Sequence, residues 1–159
     1  MKTVMSNILI FKTISEFIIY RDSLPSEFKV GLVPTMGALH DGHAELIKQC
    51  AHHNNICVVS IFVNPTQFNN PEDLKKYPRT LDNDLAKIKS LSSKIIVYAP
   101  SVEDIYEGKT ASKSFDYDDL EFQMEGKHRP GHFDGVGTIV KKLFEIVNPT
   151  HAYFCKIIV

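Results

Sequence analysis

Apolar residues in this chain recur at two periods, one suited to buried strands and one to helices, and the two take turns along the sequence. "NILIF" (7–11) is a short apolar run, and "ISEFIIYRDSL" (14–24) places Ile14, Phe17, Ile18 and Leu24 at helical spacing. "KVGLVP" (29–34) predicts a second buried strand, ended by Pro34, which cannot donate to a sheet ladder. From Gly42 to about His53 a helix is predicted with Ala44, Leu46, Ile47, Cys50 and Ala51 on its apolar side and Asp41 as N-cap.

"ICVVSIFV" (56–63) is nearly continuous in β-branched and aromatic residues, as a parallel strand covered on both faces requires. "NPTQFNNPEDLKKYPRT" (64–80) reads mostly as loop, with Thr80 or Asp82 opening a helix through Leu91, and "KIIVYAP" (94–100) is the next strand. Residues 101–120 read as short helical and irregular pieces with an edge strand near "SKSFDY" (112–117), followed by a short helix in "DDLEFQMEG" (118–126). "KHRPGHFDGVG" (127–137) reads as loop, "TIVKKLFEIVNP" (138–149) as an amphipathic helix and "HAYFCKIIV" (151–159) as a last buried strand. Such alternation predicts an α/β fold, a parallel sheet with helices on both faces and ligands at the carboxyl ends of the strands.

Composition narrows the function classes. The 159 residues are 43% hydrophobic and 23% charged, an ordinary globular balance that suits one domain. Eighteen Lys and Arg against nineteen Asp and Glu give a net charge of −1, so no global basic field draws the chain to nucleic acid or an anionic membrane. Cys50, Cys57 and Cys155 are odd in number and form no C-x-x-C pair, which points to a reducing, cytoplasmic setting without a disulfide framework. No leader with a cleavage site and no membrane-length apolar run is predicted.

The chemistry concentrates in "VPTMGALHDGHAEL" (33–46), where His40 and His43 flank a strand-to-helix turn. A zinc site needs three or four ligands, and the other five histidines form no recognisable set with this pair. An isolated H-x-G-H string is more often a turn histidine followed by a solvated helix histidine. Here, however, the string follows a buried strand and opens a helix. Unpaired N–H groups and the positive end of the helix dipole then gather at Gly42, His43 and Ala44, an anion site that both imidazoles can face. Gly37 and Gly42 would let backbone approach the anion without a Cβ in the way. His52 and His53 would sit at the favourable C-terminal end of the same helix.

"PTMGALHDGH", "SIFVNPTQF", "EDLKKYPRTLDNDL" and "RPGHFDGVGTIVKKLF", in this order, resemble the pantothenate synthetase family of ATP-dependent ligases that join pantoate to β-alanine. The H-D-G-H segment is similar to the H-x-G-H signature of the wider nucleotidyltransferase and class I aminoacyl-tRNA synthetase superfamily, which implies a Rossmann-like sheet. The resemblance implies two steps: pantoate attacks the α-phosphorus of ATP, giving pantoyl adenylate and pyrophosphate, and β-alanine then displaces AMP.

It further implies that His40 and His43 are catalytic, with His43 the proton donor, and that Met36, Gly37, Ala38, Leu39, His40, Asp41, Gly42 and His43 bind ATP. Gln67 and Asn64 would contact pantoate and β-alanine, Mg²⁺ would accompany ATP, and the assembly would be a homodimer. An ordinary histidine is cationic to about two tenths at pH 7, a share that a nearby phosphate raises. Arg129 and His132 could meet phosphate but stay outside the expected site.

After "AYF" the family continues with a G-E-K-D-x-x-Q-like segment, whereas this chain has Cys155 at the glycine position and Lys156 out of register. Residues 1–159 are therefore expected to form a Rossmann-like ATP- and pantoate-binding domain without the C-terminal lid, and a poor catalyst by itself. The alternatives are a non-catalytic module of the same family or another H-x-G-H nucleotidyltransferase. "FVNPTQF" speaks against the latter.

Overall fold

The structure, a computed structural model, describes residues 2–5, 8–65, 68, 70–77, 79–106 and 132–154, with residues 2–5 and 132–136 as backbone only. The strands are β1 (Lys2–Met5), β2 (Ile8–Phe11), β3 (Val30–Thr35), β4 (Ile56–Ile61), β5 (Ile95–Tyr98) and β6 (His151–Ala152). The helices are α1 (Ile14–Asp22), α2 (Asp41–His53), α3 (Pro71–Lys76), α4 (Leu81–Lys89), α5 (Val102–Tyr106) and α6 (His132–Val147).

The sheet order is β1-β2-β5-β4-β3-β6. The last five strands in this order run parallel, as the alternating pattern predicts, while β1 pairs antiparallel with β2 at the edge. That antiparallel strand precedes residue 7, where the first strand was expected to begin.

Both faces of the sheet are covered. Cys57 and Val59 face Ile47, Cys50 and Ala51 of α2 and Leu85 and Ile88 of α4. Val58 and Ile96 face Phe17 of α1, Ile105 of α5 and Ile139 and Leu143 of α6. Ile18, expected on the buried side of its helix, is 38% exposed, and Phe17 carries the packing instead.

Three boundaries differ from expectation for identifiable reasons. Pro34 does not end β3, because Pro34 and Thr35 continue in register with Ser60 and Ile61 of β4. Val30 and Leu32 accept from Thr150 and Tyr153 on the β6 side, so Pro34, two residues further, also turns its nitrogen that way. The missing donor therefore shortens the β6 ladder to two residues and leaves the β4 ladder intact. Pro71–Lys76, inside a stretch read mostly as loop, forms α3 because Asn70 caps it and Pro71 occupies its first turn.

The third difference is α6, which begins at His132, six residues before the expected start, and includes two glycines expected in the preceding loop. The expected edge strand at 112–117 and helix at 118–126 lie outside the described residues. In the final segment only His151 and Ala152 are strand among the described residues.

From β3 the chain steps through α2 to β4 and then β5 on one side, while β6, reached through α6, lies on the other. Strand order thus turns back at β3, and its carboxyl end is the switch point where ligand crevices of open α/β sheets form.

Candidate active site at the histidine turn

Thr35 ends β3 with a buried hydroxyl that donates to Ser60 O at 2.9 Å and accepts from Gly37 N at 3.1 Å. Gly37 (φ +80) and Ala38 (φ +50) then adopt two successive left-handed conformations. A Cβ on Gly37 would lie 3.0 Å from Asp84 Oδ2, so both space and φ require glycine there. Asp84 is only 3% exposed. Its Oδ2 accepts from Ala38 N at 3.0 Å, its Oδ1 from Leu39 N at 2.9 Å, and the Thr80 hydroxyl lies 3.3 Å from each oxygen.

Gly42, His43 and Ala44 were expected to gather unpaired N–H groups for an anion, but Gly42 N donates to His40 Nδ1 and Ala44 N to His40 O, and the N–H groups of Ala38 and Leu39 are likewise held by a carboxylate of the same chain. Asp84 is not among the site residues expected from the sequence. One signal was available: Leu81, Asp84, Leu85 and Ile88 form the i, i+3, i+4, i+7 stripe of α4, so Asp84 is the charged position on an apolar face.

At the start of α2 the cap is His40, replacing the expected Asp41. His40 is extended (φ −125, ψ −175), and its Nδ1 accepts from Gly42 N at 3.0 Å. In return His40 N donates to His43 Nδ1 at 3.1 Å, closing a capping box made of two imidazoles. The rings stack with centroids 4.0 Å apart and planes tilted by 39°. A Cβ on Gly42 would sit 2.8 Å from His40 Cε1, so the space expected to admit a ligand is filled by the His40 ring. Asp41 is solvated, 4.0 Å from Lys87 across an exposed pair of little energetic weight.

These bonds fix the rings' chemistry. A nitrogen that accepts from an N–H carries no proton, so each ring holds its proton at Nε2. Among the described residues neither Nε2–H is hydrogen-bonded, which leaves two N–H donors side by side. The His43 pKa is pushed down to about 4, first by burial, then by the charge of His40, with Asp84 opposing and Lys87 adding to the depression. His43 is therefore neutral at pH 7, and the cationic share expected for an ordinary histidine is absent from this ring.

Beside the turn lies a cavity of about 290 Å³. Met36 and Gly37 form one side, Ile61–Val63 follow from β4, and residues 79–81, Asp84 and residues 99–102 complete the lining. Arg79 Nη1 donates to Leu74 O and Tyr77 O. Asn64 is completely buried and accepts from Tyr106 Oη at 2.6 Å. Gln67 and Arg129 lie outside the described residues, and of His132 only the backbone is described. Among the described residues no group of three or more His, Cys, Asp or Glu is placed to hold a metal ion. No helix among them is long and apolar enough to cross a membrane.

The family model described as Pantoate-beta-alanine ligase matches residues 9–156. The chain is 77% identical over 131 residues to pantothenate synthetase from Flavobacterium psychrophilum, covering 82% of this chain and 46% of that protein. It is 55% identical over 144 residues to pantothenate synthetase from Phocaeicola vulgatus, covering 90% and 50% respectively. Among solved structures, the Francisella tularensis pantoate-beta-alanine ligase complexed with beta-gamma ATP and beta-alanine superposes with a TM-score of 0.85 at 43% identity. That match covers 91% of this chain and 55% of that one. The chain thus spans about half the length of the curated relatives it matches.

Proposed function

This chain belongs to the pantoate-beta-alanine ligase family, and we propose that it supplies the nucleotide- and pantoate-binding domain of an ATP-dependent ligase joining pantoate to β-alanine. In the first step the pantoate carboxylate attacks the α-phosphorus of ATP, the bond to the bridging oxygen breaks, and pyrophosphate leaves. The β-alanine amine then attacks the acyl carbon of the adenylate, loses a proton and expels AMP. The chemistry needs fixed donors where negative charge builds on phosphoryl oxygen. The Nε2–H groups of His40 and His43 are two such donors, held in one tautomer by the cap and free of the cost of burying a charge.

In this reading residues 36–43 meet ATP, with Asp84 shaping the turn, and Gln67 and Asn64 meet pantoate and β-alanine. The cytoplasmic setting and homodimeric assembly expected from the sequence belong to the same proposal. Mg²⁺ would arrive with the triphosphate, since Mg²⁺ bound with nucleotides takes phosphate oxygens and water as ligands and needs no protein cage. No step is routed through it.

The observation that carries this reading is the family match over residues 9–156, within which the histidine turn stands at the switch point of the sheet. The test is a chimera in which residues 9–156 replace the matching segment of a full-length relative. With ATP, Mg²⁺, pantoate and β-alanine it should form pantothenate and AMP in equal amounts. Formation of ADP and phosphate, or no pantothenate, would contradict the proposal.

A further inference from the structure

Asp84 sits in the first turns of α4 with its backbone N–H donating to Thr80 O at 2.8 Å, so its position is set by the helix. From there both carboxylate oxygens reach 45 or 46 residues back to the Ala38 and Leu39 N–H groups. Leu39 immediately precedes His40, whose extended backbone aims Nδ1 at Gly42 N. Ala38 is an L-residue in a left-handed conformation, which persists only where surrounding contacts over-determine it. Two charge-assisted bonds to one buried carboxylate are such contacts.

We propose that Asp84 is a positioning residue for the reaction. By receiving the Ala38 and Leu39 N–H groups it holds the Gly37–Ala38 turn and thereby fixes the direction and tautomer of the His40–His43 pair. This rests on the reading of that pair as phosphate donors. A neutral amide of the same shape could not do the work, because it has one acceptor and would turn an NH₂ toward the second N–H. The cap would then lose its fixed origin, and the rings would exchange between Nδ1–H and Nε2–H forms.

The test is a long-range ¹H–¹⁵N spectrum of the histidine rings, which reads tautomers independently of activity. The parent chain should show a single Nε2–H form for His40 and His43. In Asp84→Asn both should become tautomer mixtures, while His52 and His53 at the far end of α2 keep their parent spectra. A folded Asp84→Asn chain with the parent signature at His40 and His43 would overturn the proposal.

Should that variant fail to fold, scalar couplings across hydrogen bonds from the Ala38 and Leu39 nitrogens to Asp84 Cγ in the unmutated chain decide. Their presence supports the clamp and their absence overturns it. In the ligase chimera the same substitution should lower kcat about 10²-fold, the usual cost of small misplacement. An unmutated chimera without activity would sink the functional reading alone and leave the ring spectra to judge the clamp.

Discussion

Two strand-to-helix turns leave the same edge of the sheet, and they solve the same problem with different side chains. After β5, Ala99-Pro100 leads to Ser101, whose Oγ accepts from Asp104 N at 3.1 Å, a preferred serine cap for a short helix. After β3, a longer turn with two left-handed residues leads to His40, whose ring nitrogen makes the equivalent bond. Capping by itself therefore does not call for imidazole. What the second turn gains is a second ring nitrogen bearing a proton, twice over, after the cap is satisfied. The first turn holds an element in place, whereas the second also presents donors.

The strongest way to break this contrast is to give the histidine turn the chemistry of the other. His40→Ser should keep the cap, leaving the thermal unfolding midpoint nearly unchanged, since Ser is a favoured N-cap. In the chimera the same change should slow adenylation about 10²-fold, and His43→Ala should cost roughly 10²–10³, the usual loss for one transition-state donor. Pyrophosphate release measures both. Rates within a factor of about three of the parent would reduce the rings to caps.

A smaller effect concerns the turn itself. Gly37→Ala would adopt φ +80 and bring a Cβ within 3.0 Å of Asp84 Oδ2, which should destabilise the chain by about 2 kcal/mol. Denaturant unfolding reads this directly, and an unchanged midpoint would mean that the turn relaxes without the clamp.

The smallest effect is one of pH. His43 has a folded pKa of about 4 against 6.5 ordinarily. Between these values the unfolded chain binds a proton that the folded chain refuses, so stability falls on acidification from about pH 6.5 and levels off below about pH 4. Melting curves of the chain and of His43→Gln across this window should diverge in that direction. Parallel curves would mean that His43 titrates like an exposed ring.

Much of the fold is legible because its signals are local. Val58 and Val59 point to opposite faces of one strand, so a continuous apolar run announces a strand buried on both sides. The histidine turn is legible too, since Gly37, His40 and His43 stand within one short segment. Asp84 escapes because its partners are 45 and 46 residues away, and its own neighbours predict only a polar residue near a helix start. Pro34 misleads for a related reason. Whether a missing N–H matters depends on which neighbour that nitrogen faces, and β6 comes more than a hundred residues later.

The central claim, that the histidine turn donates to nucleotide phosphate, is tested most directly by titrating a non-hydrolysable ATP analogue into the chain with ¹⁵N-labelled histidine. Nucleotide should shift the Nε2–H resonances of His40 and His43 together and saturably, while His52 and His53, on the same helix at its opposite end, stay in place. Stationary His40 and His43 signals, or equal movement of all four rings, would contradict it.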